Sequence, residues 1–223
     1  MKKENGEKVK VIPTEETTVK NNFINSLVSN QNSFFYLNTY GSLYSISEKG
    51  GIKWFINLNR SLDINPNSFF YSNPLVLHQN KLIVSTDLFL YILDSNNGSI
   101  ISKIAITSLF RPLVSGSNLF LITKDNLLIC ISLDSMKIVY SLDISKNIAD
   151  YLDAKKQAIS IKSSAIINND IFLFLKNSYL VKFSSIGKIK EINKLPTRLS
   201  SFPIFINESI IYLNNKNKLA LVN

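Results

Sequence analysis

Few residues of this chain could carry chemistry, and their spacing does not build an active centre. It has one histidine, His78, and one cysteine, Cys130. A single histidine cannot assemble a multi-histidine metal site. His78 lies between Leu77 and Leu82, with no serine or cysteine at a spacing suited to nucleophilic catalysis, and is expected as an exposed turn residue. Cys130 falls inside the apolar run Leu127-Leu128-Ile129-Cys130-Ile131, where a thiol behaves as a small hydrophobe. Reactivity would require exposure and cationic neighbours. Asp150 and Asp153 are close in sequence but are followed by Lys155 and Lys156, the pattern of a solvated turn rather than a ligand set. Gly50-Gly51 reads as a hairpin turn and not as a phosphate cradle. No catalytic residue, metal site or bound cofactor is expected.

The elements around these residues are more informative. A unit of roughly 38–40 residues recurs along the chain, with its opening phrase near residues 27, 74, 112, 164 and 203. In the third unit, Arg111-Pro112-Leu113-Val114 is followed by a polar break, Leu119-Phe120-Leu121-Ile122, another break and the run containing Cys130. Three short apolar runs separated by hairpin-length polar breaks read as antiparallel strands. A more polar fourth segment follows most units, as in Gly51-Ile52-Lys53-Trp54 and Gly187-Lys188-Ile189-Lys190. Four strands per repeat make the blade of a β-propeller. Runs such as Ile171-Phe172-Leu173-Phe174-Leu175 lack alternation, as strands covered on both faces do. The expected fold is therefore all-β: about five four-stranded blades in a single repeat domain over residues 1–223, forming a partial or small closed ring. Residues 5–12 look like a fourth strand without a parent. They either complete the last blade and close the ring or belong to an earlier blade of a larger propeller. Two insertions break the period, at 57–73 and 145–163, and Ile148 to Lys156 is expected to form a short helical turn.

Net charge is +9, but the lysines are scattered and not interleaved with aromatics as in a nucleic-acid reader. They are expected to serve solubility. The arginines differ. There are three, Arg60, Arg111 and Arg198, each between the fourth strand of one unit and the first of the next. Propeller geometry puts those connections on one face, and arginine is well suited to protein interfaces because its planar fork pairs with carboxylates. Leu109-Phe110-Arg111 adds apolar neighbours. No run is long enough for a membrane-spanning helix, and residues 1–11 are too polar to read as a secretory signal.

Asn38-Thr39-Tyr40-Gly41-Ser42-Leu43-Tyr44-Ser45-Ile46, continuing through Gly50-Gly51 to Trp54, resembles the pyrroloquinoline-quinone-type propeller repeat. Leu90-Tyr91-Ile92-Leu93-Asp94 with Gly98 is similar, and Ile129 to Asp134 more loosely so. Among such proteins the chain looks most like the BamB family of outer-membrane protein assembly factors, over residues 22–223. That resemblance implies a non-catalytic, periplasmic, outer-membrane-associated scaffold that binds the barrel-insertion subunit. It implies protein-contacting roles for Leu109 and Arg111, and neither nucleic-acid binding nor a bound cofactor; Arg60 and Arg198 are further candidate contacts by their placement between repeats. A monomer is expected. The chain departs from the family in having about three blades fewer, which favours a C-terminal portion of a larger ring. It also keeps the outer-strand tryptophan only at Trp54, with Tyr140 in the equivalent place of another blade. The alternative is a fragment of a quinoprotein dehydrogenase, whose family pairs a catalytic carboxylate with Ca²⁺, a planar cofactor and a vicinal disulfide. One cysteine cannot form that disulfide.

Overall fold

Each triplet of apolar runs forms an antiparallel meander, and the polar fourth run adds its outer strand. The computed structural model describes residues 10–14, 25–59, 70–157, 159–207 and 209–222. The chain divides into two compact units, residues 1–111 and 112–223. In the first unit, β1 (Ser26–Ser29), β2 (Ser33–Leu37), β3 (Ser42–Ser47) and β4 (Ile52–Asn57) form sheet 1 in that order. Sheet 2 is β5 (Val76–His78), β6 (Lys81–Ser85), β7 (Leu90–Asp94) and β8 (Ile100–Ile104). In the second unit, β9 (Leu113–Ser115), β10 (Asn118–Ile122), β11 (Leu127–Ser132) and β12 (Ile138–Asp143) form sheet 3. Helix α1 (Ile144–Tyr151) follows. Sheet 4 is β13 (Ile161–Ile167), β14 (Asp170–Leu175), β15 (Tyr179–Ser184) and β16 (Ile189–Lys194). Sheet 5 has three strands among the described residues: β17 (Ile204–Ile206), β18 (Ser209–Leu213) and β19 (Leu219–Val222).

The repeats share more than strand order. All four four-stranded sheets shift register between third and fourth strands, at Ser45/Ile46, Ile92/Leu93, Cys130/Ile131 and Lys182/Phe183. The turn between second and third strands is also repeated. The Asn38 side-chain oxygen accepts from the N–H groups of Tyr40 and Ser42, and that of Asn214 accepts from Lys216 and Lys218. Such Asx turns satisfy backbone donors locally and fix hairpin register. These two markers place residues of different sheets in correspondence: Leu37, Phe174 and Leu213 occupy one position, and Leu43, Leu180 and Leu219 another.

Within each unit a core lies between packed sheets. In the first unit, Phe35, Leu37 and Leu43 of sheet 1 meet Leu82, Val84, Tyr91 and Leu93 of sheet 2. Two polar contacts bind this joint: the Leu75 N–H donates to Ser26 Oγ at 2.7 Å, and Trp54 Nε1–H donates to the Ser95 carbonyl at 3.0 Å. The Trp54 ring lies over Gly98, whose φ is +76°, and a Cβ there would come within 2.6 Å of it. In the second unit, Tyr140 repeats the arrangement: its hydroxyl donates to the Ser185 carbonyl at 2.9 Å, and its ring lies with Leu142 against Gly187. Tyr140 stands opposite Cys130 as Trp54 stands opposite Ser45, so the equivalence read from the repeats has a structural basis. Sheets 4 and 5 meet through Phe174 and Leu180 against Phe205, Ile210, Tyr212, Ala220 and Val222, with Phe205 edge-on to Phe172 at 5.5 Å.

Three expectations need adjustment. His78 is not an exposed turn residue: β5 runs through it, paired with Lys81, and the turn begins at Gln79. Its ring is half-buried, and Nε2 is shielded without a hydrogen-bond partner. The helix begins earlier than expected, because Asp143 caps it by accepting from the Lys146 N–H at 2.9 Å. Of the expected outer strand at residues 5–12, residues 5–9 lie outside the described residues, and 10–14 are described but form no strand. Lys10 nevertheless lies across Gly50 and donates to the Lys49 carbonyl at 3.1 Å.

Candidate interaction surface

Of the four residues expected to contact a protein, Leu109 and Arg111 share one connection, between β8 and β9. Its base is pinned. The Asn73 side-chain amide donates to the Ser108 carbonyl at 2.8 Å, and the Ser108 N–H donates to Ser85 Oγ at 3.3 Å. All three anchoring residues are buried. Buried bonds of this kind hold a connection in one conformation, since breaking either leaves a desolvated polar group unpaired. Immediately beyond the pin, Leu109 and Phe110 are half-buried and Arg111 is exposed. The sequence reading did not single out Asn73, Ser85 or Ser108; the partners are 23 and 35 residues apart, so no local pattern marks them. Arg198 is exposed in the connection between β16 and β17, and its carbonyl accepts from the Asn215 N–H. It belongs to the second unit. Arg60 lies outside the described residues.

The second unit carries a groove of about 590 Å³ between sheets 4 and 5, with Phe172, Leu180 and Phe205 among its apolar lining and Lys182 and Glu191 among its charges. Glu191 stands opposite Lys182, the register position that Trp54 and Tyr140 hold in their sheets. A ladder of charges crosses the strands: Lys182 Nζ is 3.0 Å from Glu191 and 3.6 Å from Asp170, and Lys190 also reaches Asp170, at 2.5 Å. The hydrogen bond from Lys182, helped by one from Asn193, holds the Glu191 carboxyl below the usual carboxylate range. The same bond to Glu191 raises the Lys182 ammonium, against the cost of burial. Both groups are locked in their charged forms, so neither is poised to exchange a proton near neutrality.

Elsewhere burial pushes the Cys130 thiol up, the opposite of what a nucleophile needs. Burial, and secondarily Cys130, also drives the Tyr140 hydroxyl well above its ordinary value. Among the described residues no three His, Cys, Asp or Glu gather where they could hold a metal ion, and no helix is long and apolar enough to cross a membrane.

The repeated antiparallel meanders, packed sheet on sheet within each unit, define the chain as an all-β protein of the β-propeller class. Solved structures bear this out. BamB from Moraxella catarrhalis is similar with a TM-score of 0.53 and 9% identity over 87% of this chain and 68% of its own. A computationally designed propeller-like protein, Ika8, has a TM-score of 0.60 and 10% identity over 87% of this chain and 56% of its own. BBS1N, solved in complex with ARL6DN, has a TM-score of 0.59 and 11% identity over 86% of this chain and 60% of its own. The chain thus spans under two thirds of the length of the latter two. No family model matches the chain, and no curated protein does. The fold likeness extends to 1078 solved chains, so it establishes architecture and selects no single activity.

Proposed function

We propose that this protein is a non-catalytic β-propeller scaffold that docks a protein partner through its inter-blade connections. By its resemblance to the BamB family, the partner is the barrel-insertion subunit of outer-membrane protein assembly, and the place of action is the periplasmic side of the outer membrane. One observation carries the reading: the connection bearing Leu109, Phe110 and Arg111 is held by buried hydrogen bonds at Ser108 and then presents an exposed guanidinium beside half-buried apolar side chains. A rigid base lowers the ordering cost of binding, and an arginine flanked by apolar groups is a common centre of binding energy. Arg60 and Arg198 are assigned supporting contacts. The structure of BBS1N with ARL6DN is a case of a neighbour of this fold bound to another protein.

The test measures binding of the full chain to the purified soluble domains of a barrel-insertion subunit by biolayer interferometry. Arg111→Glu is expected to weaken binding about tenfold or more, and Leu109→Ala by a lesser factor. Unchanged affinity in both variants refutes the assignment of the site. In parallel the chain is titrated with pyrroloquinoline quinone and Ca²⁺. A flat absorbance record is expected, and saturable uptake of the quinone would overturn the scaffold reading in favour of a dehydrogenase fragment.

A further inference from the structure

The turn between third and fourth strands holds one residue in the left-handed region in each four-stranded sheet: Gly50, Gly98, Met136 and Gly187. The residues just before them are Lys49, Asn97, Ser135 and Ile186. Only sheet 2 places an asparagine there, and Asn97–Gly98 is the one Asn–Gly step among the described residues. That step has a chemistry of its own. The backbone nitrogen following an asparagine can attack the side-chain amide carbon, and glycine, having no Cβ, obstructs the approach least.

Both reacting groups are engaged in the folded sheet. The Gly98 N–H donates to the Asp94 carbonyl at 2.8 Å. Asn97 Oδ1 accepts from the Ser99 N–H at 2.8 Å. Asn97 is exposed, but Gly98 is buried. Its cover is the Trp54 ring, which also holds the same turn through the bond from Nε1–H to the Ser95 carbonyl. Attack requires the Gly98 nitrogen to give up its proton. A buried N–H bonded to a carbonyl is withheld from base until the structure opens locally.

We propose that Asn97 is a deamidation site gated by Trp54, closed while the indole covers Gly98 and open when sheets 1 and 2 part. In the open turn the Gly98 nitrogen loses its proton to solvent base and bonds to Asn97 Cγ. The Cγ–Nδ2 bond breaks, ammonia leaves, and a succinimide results. Water then adds to either ring carbonyl and opens the ring, to aspartate or to isoaspartate. Nothing is oxidised or reduced. Isoaspartate routes the main chain through Cβ, which lengthens the turn by one atom and spoils the register of the Gly98–Asp94 bond. Either product adds a negative charge to a turn that already contains Asp94. A chain converted to isoaspartate cannot reseat Gly98 under the indole, so an opening of this joint leaves a covalent record.

The experiment incubates the full chain at mildly alkaline pH and follows residues 94–103 by peptide mapping that separates asparagine, aspartate and isoaspartate. A synthetic peptide of the same residues is the open reference. Wild-type Asn97 is expected to convert about tenfold or more slowly than the peptide. Trp54→Ala is expected to bring the rate most of the way to that of the peptide. Because that variant also lowers global stability, Val84→Ala serves as its control. Val84 belongs to the same core but pairs with Tyr91, at the end of its hairpin away from Asp94. With urea added to bring the two variants to equal stability, Val84→Ala is expected to convert more slowly than Trp54→Ala. Wild-type conversion at the rate of the peptide overturns the inference. Equal rates in the two matched variants do so too, because global unfolding then accounts for the reaction. In aged wild-type protein, isoaspartate content is expected to rise together with a red shift of Trp54 emission; isoaspartate formed without that shift overturns the claim that the joint fails to reseat.

Discussion

The contact between Trp54 and Gly98 fastens the first unit's two sheets, and a double-mutant cycle measures it. Gly98 has a φ of +76°, and a Cβ added there would stand 2.6 Å from Trp54 Cε3. Gly98→Ala therefore incurs two costs. Placing an L-residue in the left-handed region costs about 1–2 kcal/mol. Forcing the methyl group against the indole adds about 1–3 kcal/mol, as overpacking does. Trp54→Ala costs about 2–4 kcal/mol, from a half-buried ring and an unpaired Ser95 carbonyl. In the Trp54→Ala background the indole is gone, so Gly98→Ala should cost only the backbone component. The two substitutions are thus expected to couple by about 1–3 kcal/mol. Urea unfolding read by circular dichroism gives all four stabilities on one scale, and the chain's only tryptophan reports the joint by fluorescence where it is retained. A coupling under about 0.5 kcal/mol, the range of independent sites, would refute the claim that these residues pack as described.

Two further expectations concern the second unit. Tyr140→Phe keeps the ring against Gly187 and removes only the hydroxyl bond to the Ser185 carbonyl; it should cost about 1 kcal/mol of stability in urea unfolding, and no measurable loss would place that hydroxyl in water instead. The Lys182–Glu191 pair should shape the pH profile of stability. Glu191 is held below its unfolded value, so its contribution is present above the ordinary carboxylate range and is lost as pH falls through the depressed value. Lys182 is raised, so its contribution is complete below the ordinary lysine range and is lost as pH rises through the elevated one. Both groups are partly exposed, so the effect is under about 1 kcal/mol and shrinks with salt. Glu191→Gln should flatten the acid limb of the unfolding midpoint against pH; an unchanged limb would mean the pair contributes nothing.

The β-propeller class was legible in the sequence because strand, turn and repeat are local signals. Unbroken apolar runs such as Leu90 to Leu93, polar breaks and a fourth charged run recur at a common spacing, and each is set by neighbours a few residues away. Trp54 and Tyr140 could be matched for the same reason, since both stand at a fixed place in the phrase. His78 was misjudged because one more strand residue before the Gln79 turn makes no difference to the pattern but determines whether the ring is sheltered. The anchors Ser26, Asn73 and Ser108 were invisible, since each bonds across 35 to 49 residues.

By itself the sequence determined that the chain would make short strands, how they would hairpin, and that their runs would be apolar on both sides. Only the tertiary structure decided which of those sides are covered. The physical reason is that a strand apolar on both faces has no alternation to distinguish them. Leu43 and Leu219 occupy the same place in their repeats, and packing alone makes one a core residue and leaves the other in water.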